Sequence, residues 1–240
     1  MKHLQQLFGK ACTRYGLLAD DDRILVAVSG GKDSLMLCRL MAQRARIFKP
    51  RIEVAAAHVV MDNIPYETDR QWLADYCRDL GLPLHILHAS FDESQPDRRR
   101  TRCFLCSWHR RKALFRFAEQ EGFNKVALGH HQDDILTTWL MNMTYEGNCS
   151  TMLPILPLEH YPISIIRPLC LAPEAHIARL AETLALPQQK ARCPWEEASR
   201  RADIEQVLHH LESLNPEARN SLWRAMERTL AGGEAFGQLL

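Results

Sequence analysis

The chain has 240 residues, a formal net charge of +1 and 46% apolar residues, which suits one large α/β domain or one domain with an appendage. A balance so close to neutral excludes a global field for nucleic acid, so any such surface must come from local clustering. The apolar runs fall short of the ~18 residues that a membrane span needs, so no membrane span is expected.

The opening segment, MKHLQQLFGKACTRYGLL, is mixed polar and lacks a continuous apolar stretch. No signal peptide is expected, and the chain is placed in the cytoplasm. ILVAVS over 24–29 predicts a buried strand, and LMLCRLMAQRA over 35–45 a helix opening directly after the intervening loop. EVAAAHVVMD over 53–62 predicts a second strand. TDRQWLADYCRDLGL over 68–82 predicts a helix with Gly81 near its C-terminal end. LHILHASF over 84–91 reads as a third strand, and an Arg-rich loop then leads into a helix through LCSWHRRKALFRFAEQEG. KVALGHH over 125–131 is a fourth strand, DDILTTWLMNM over 133–143 a helix, and ISIIRPL over 163–169 a fifth strand. Residues 173–186 and 203–230 read as helical.

Strand and helix alternate. That predicts a doubly wound α/β fold, with a mainly parallel five-stranded sheet covered on both faces. The expected division is an α/β domain over 1–172 and a helical C-terminal extension over 173–240, packed on the same domain. In such sheets ligands sit at the carboxyl ends of strands.

The first strand ends in Ser29-Gly30-Gly31-Lys32-Asp33-Ser34. Two glycines let peptide N–H groups approach an anion, and the next helix points its positive end at the same place. Lys32 adds a point charge and Ser34 a hydroxyl. The alternative is a Gly-Gly turn with a solvated lysine, and the position between strand and helix argues against it. The loop is not a Walker A motif, because Val26 stands five before Gly31 and Asp33 follows Lys32 where Ser or Thr is required. The fourth strand ends in Gly129-His130-His131-Gln132-Asp133-Asp134. Asp133 and Asp134 could hold Mg²⁺ or merely cap a helix, and His130 could be a core histidine. Arg167, at the end of the fifth strand, could neutralise transition-state charge or form a surface salt bridge.

Eight cysteines in a cytoplasmic chain mean thiols or metal ligands more often than disulfides. Cys103 and Cys106 form one C-x-x-C pair at the expected opening of a helix, where the dipole favours thiolate. A structural zinc site would show a second pair, and none exists. Cys193, beside Pro194 in a polar stretch, could complete a three-thiolate site with one open coordination position. Cys38 and Cys77 read as small apolar fillers within helices. Residues 98–116 carry eight Arg or Lys in nineteen positions and no acid. Arg98, Arg99, Arg100, Arg102, Arg110, Arg111 and Lys112, interleaved with Phe104 and Trp108, suit single-stranded RNA. The alternative is a solvated helix face with Trp108 in the core.

SGGKDS closely resembles the PP-loop of the N-type ATP pyrophosphatases. That implies ATP cleaved between its α and β phosphates, with pyrophosphate held by Ser29, Gly30, Gly31, Lys32, Asp33 and Ser34. It also gives Gly129, His130, Asp133, Asp134 and Arg167 a place near ATP. Lys32 and Asp33 then also count as catalytic. The series PP-loop, R-x-x-x-T-R-C-x-x-C, G-H-H-x-D-D-I-L, I-R-P-L and a late lone cysteine resembles the tRNA 2-thiocytidine synthetase (TtcA) family over roughly residues 8 to 230. This resemblance implies an ATP- and Mg²⁺-dependent tRNA sulfurtransferase acting at C2 of cytidine 32 in the anticodon loop. It also implies a [4Fe–4S] cluster on Cys103, Cys106 and Cys193. Implied partners are tRNA and a sulfur donor such as a cysteine desulfurase or sulfide; the sequence does not fix the oligomeric state, and a homodimer is one option. The family often has a second late cysteine, and here Glu196 stands in its place. The alternatives are a thiouridine synthase, a lysidine-type amine ligase, and a non-catalytic metal- and nucleotide-binding RNA sensor.

Overall fold

The structure is a computed structural model, and it describes residues 1–64, 68–91, 102–187 and 200–231. Helix α1 spans Lys2–Arg14 and strand β1 Asp22–Ala27; α2 follows over Lys32–Ala45, β2 over Ile52–Met61 and α3 over Arg70–Leu80. Next come β3 (Leu84–Ala89), α4 (Arg102–Gln120), β4 (Lys125–Ala127) and α5 (Gln132–Met141). A π-helical turn over Asn142–Glu146 extends α5. The chain continues through β5 (Ile155–Pro157), β6 (Ser164–Ile166), α6 (Glu174–Thr183), α7 (Arg200–Leu214) and α8 (Ala218–Ala231).

The strands form one sheet in the order β3-β2-β1-β4-β6-β5. Every pairing is parallel except that of β5 with β6. The sheet thus has six strands where five were expected. The extra one is three residues long and ends in Pro157, a residue that an edge strand tolerates because it need not donate to a ladder. Helix α1 was also not foreseen. Its buried residues Leu4, Phe8, Ala11 and Cys12 recur at helical spacing behind a largely polar composition. The helical pattern at 203–230 is two helices, broken around Pro216.

The chain divides into two compact units. The first, Met1–His131 with Pro154–Glu196, contains the whole sheet and α6. The second, Gln132–Leu153 with Glu197–Leu240, contains α5, α7 and α8. The expected boundary after residue 172 is not the same division. Helix α6 joins the sheet, and α5 joins the C-terminal helices.

Within the first unit the sheet pleat sorts side chains to two faces. Leu25, Ala55, Ala57, Val59, Met61 and Val126 pack with Leu114 and Ala118 of α4 in one apolar cluster. Helix α2 packs against β1 and β2, and also against α3 and α6. At the amino end of the sheet, Lys125 Nζ lies 2.6 Å from Asp22 Oδ2, and both residues are buried. Asn124 donates to Asp22 Oδ1 at 2.9 Å. Breaking such a pair costs about 3–5 kcal/mol, so this end is built for stability and the opposite end is left for ligands.

Candidate active site

The strand order reverses direction between β1 and β4. In open parallel sheets this switch point is where the carboxyl ends of neighbouring strands leave a crevice. The segments after β1 and β4, Ser29–Ser34 and Gly129–His130, leave the sheet there.

The loop after β1 is closed by its own hydroxyls. Ser34 Oγ donates to Gly31 O at 2.9 Å and accepts from Ser29 N at 3.1 Å. Gly31 N donates to Ser29 Oγ at 3.3 Å. Ser34 is buried, and its hydroxyl shapes the loop. Gly30 has φ of 90°, a conformation costly for any residue with a Cβ. The N-cap of α2 is Gly31, so no side chain caps the first-turn amides and the dipole end stays open to an anion.

Gly129 locks this arrangement in place. A Cβ there would lie 3.1 Å from Ser34 N, 3.2 Å from Asp33 C and 3.3 Å from Ser34 Cα. The end of β4 therefore presses backbone to backbone on the first turn of α2. Val28, just before the loop, is held by His58 of β2, whose Nδ1 lies 2.7 Å from Val28 O. Burial, despite that hydrogen bond, lowers the His58 pKa from 6.5, and the charges of Arg110 and Arg70 push it the same way.

Lys32 is engaged by carboxylates. Its Nζ donates to Glu174 Oε1 at 2.7 Å and to Asp33 Oδ2 at 3.1 Å. Burial opposes the charged form, but Glu174 and Asp33 together hold the Lys32 pKa above its usual value. Nothing in the sequence linked Glu174 to Lys32 across 142 positions.

Arg167 is 5% exposed, which rules out the surface salt bridge among the readings above. Its Nε donates to His130 Nδ1 at 3.3 Å, so the ends of β6 and β4 are tied at the crevice. Burial lowers its pKa to about 10, with Cys170 opposing and the charge of Arg111 adding to the fall. A desolvated guanidinium is a strong stabiliser of anionic charge.

In the second unit, Asp133 and Asp134 open α5. Asp133 Oδ1 lies 2.8 Å from Arg219 Nη1, and Arg219 is gripped by Glu212 through Nε at 2.6 Å and Nη2 at 3.0 Å. Asp134 pairs with Arg201, which also pairs with Glu205 at 3.1 Å. Sequence reading missed these arginines, because the pairs join α5 to helices about 70 positions away or more.

Cys103 and Cys106 lie in the first turn of α4, the former exposed and the latter half-buried. Phe104 and Trp108 are 43% and 39% exposed, so Trp108 is not a core residue. Arg102 and Arg111 are exposed, and Arg110 and Lys112 are half-buried. Arg98, Arg99, Arg100, Cys193 and Glu196 lie outside the described residues. Among the described residues no three His, Cys, Asp or Glu side chains converge as a metal site, and no helix is long and apolar enough to cross a membrane. Two thiols three apart at a helix N-terminus are nonetheless a soft donor pair of the kind an iron–sulfur cluster takes.

A parallel sheet with an uncapped Ser-Gly-Gly loop at its switch point defines a PP-loop protein, and residues 1–203 match the PP-loop domain family. The chain belongs to the tRNA-cytidine(32) 2-sulfurtransferase family. It is 34% identical to the protein of that name from Polynucleobacter asymbioticus, over 98% of this chain and 80% of the relative. It is 33% identical to that from Methylococcus capsulatus, over 94% and 79%. Among solved structures it resembles the U34-tRNA thiolase NcsA from Methanococcus maripaludis with its [4Fe-4S] cluster, at a TM-score of 0.79 and 26% identity. That match covers 96% of this chain and 79% of NcsA.

Proposed function

We propose that this chain is an ATP-dependent tRNA sulfurtransferase that replaces the C2 oxygen of cytidine 32 in the anticodon loop by sulfur. One observation carries the reading. A single compact unit holds both an open phosphate loop and a thiol pair on a basic, aromatic helix.

In this reading the C2 carbonyl oxygen of the base attacks the α-phosphorus of ATP and pyrophosphate leaves. The amides behind Gly30 and Gly31 and the Lys32 ammonium receive the departing charge, and Arg167 stabilises what builds on the phosphoryl oxygens. Adenylation makes C2 electrophilic. A sulfur nucleophile attacks there, the C2–O bond breaks and AMP departs with that oxygen. On the family's motif, Asp133 and Asp134 are the carboxylates for Mg²⁺. Cys103, Cys106 and Cys193 would hold a [4Fe–4S] cluster, which when bound would supply iron for binding and delivering the sulfur. Arg102, Arg110, Arg111 and Lys112, with Arg98, Arg99 and Arg100, bind the RNA. The sulfur comes from sulfide or a desulfurase, and the enzyme works in the cytoplasm.

The test is anaerobic purification of wild type and Cys193→Ala, followed by iron and sulfide analysis and thiolation of tRNA with ATP. Wild type should carry iron and sulfide and form 2-thiocytidine, and the variant should lose both. Full thiolation by the variant would overturn the three-cysteine site. The likeness to a uridine thiolase supports thiouridine as the competing product, and nucleoside analysis of the same tRNA separates the two.

A further inference from the structure

A second groove lies in the first unit, between β3 and α4. It has a volume of about 550 Å³, and its lining includes His88, Ser90, His109, Lys112 and Arg116. Among the described residues no Asp or Glu lines it. Asp62 touches the lining residue His88, its Oδ1 2.7 Å from His88 Nδ1. Burial, with the charge of Lys112 adding, lowers the His109 pKa. The groove's lasting positive charge therefore comes from Lys112 and Arg116, one helical turn apart on α4. Lys112 Nζ sits 4.6 Å from the centre of the Trp108 ring. Strand β3 ends the sheet and has one strand neighbour, so its outer peptide groups are not spent on a ladder among the described residues.

The groove is continuous with the chemistry along a single helix. Lys112 and Arg116 stand about 9 and 15 Å along α4 from Cys106 at 1.5 Å per residue. Around the helix they lie about a third and about a quarter of a turn from Cys106. We propose that this groove is a backbone track for the RNA flank of the target base, with phosphates on Lys112 and Arg116 and the base itself delivered to the Cys103–Cys106 turn. Two cations with no carboxylate among the described lining residues, open peptide groups and a neighbouring exposed aromatic fit a polyanion with bases better than a protein strand. The proposal rests on the sulfurtransferase reading and adds to it the face by which the substrate approaches.

The experiment measures binding of an unmodified tRNA transcript over a salt series. It compares wild type, the double variant Lys112→Gln with Arg116→Gln, and a control with Lys10→Gln and Arg14→Gln on α1. ATP binding serves as the check on folding. Each phosphate contact contributes about 0.7–0.9 to the slope of log K against log salt. The groove variant should bind at least tenfold more weakly at low salt, with the slope reduced by about 1.4–1.8 and ATP binding unchanged. The control should match wild type. An unchanged slope in the groove variant, or an equal loss in the control, overturns the track. So does a variant that keeps tRNA binding and sulfide-supported thiolation but fails with a protein sulfur donor, since the groove would then dock that donor. Wild type that binds no tRNA defeats the sulfurtransferase reading itself.

Discussion

Replacing Gly129 by alanine should weaken ATP binding without unfolding the protein. The added Cβ meets Ser34 N at 3.1 Å, Asp33 C at 3.2 Å and Ser34 Cα at 3.3 Å. All three are backbone atoms of the first turn of α2, so no side chain can rotate away. The turn must shift by a few tenths of an ångström, and it is the turn whose amides face the crevice. Overpacking of this kind costs about 1–3 kcal/mol. If the strain is relieved by displacing the loop, the cost appears as about 5- to 150-fold weaker ATP binding. Gly129 has no positive φ, so the effect is one of space rather than backbone strain. Calorimetric titration with Mg²⁺-ATP reads the affinity, and urea unfolding reads the fold. Unchanged affinity would refute the claim that the end of β4 sets the loop. So would a loss of stability with ATP binding intact.

Two further outcomes follow from the ionisable groups around the loop. Glu174→Gln should tighten ATP binding about 1.5- to 5-fold, because it removes a competitor for the Lys32 ammonium in a partly exposed pair worth about 0.2–1 kcal/mol. Weaker binding in the same titration would mean that Glu174 positions Lys32 rather than competes with phosphate. His58 makes stability depend on pH. Above pH 6.5 its ring is neutral whether the chain is folded or not, and its contribution is complete. As pH falls below 6.5 the unfolded chain takes up a proton that the buried ring resists, so stability is lost. His58→Asn should therefore flatten the decline of urea stability below pH 6.5, and a curve parallel to wild type would sink the assignment.

The sequence by itself carried the class of fold and the outline of the site. Buried parallel strands read as bounded apolar runs, and the Ser-Gly-Gly-Lys string sits between one such run and a helix, so its chemistry is local and legible. The C-x-x-C pair is legible for the same reason, since three residues are one helical turn. The short edge strand β5 was not, because three residues ending in proline carry no period. Helix α1 was hidden because a narrow apolar stripe disappears in a mixed composition.

Tertiary structure alone decided what each charged group touches. Ser34, expected at the phosphate, also bonds within its own loop through its hydroxyl. Arg167 was open between a charge-neutralising group and a surface salt bridge, and it is a buried guanidinium tied to His130. Lys32 meets Glu174, and Asp133 and Asp134 meet Arg219 and Arg201, across separations that local pattern cannot span. Side-chain spacing reports a helix or a strand because backbone geometry repeats over a few residues. Which two distant carboxylates and cations share a place depends on how the sheet and helices pack, and no short-range repeat encodes that.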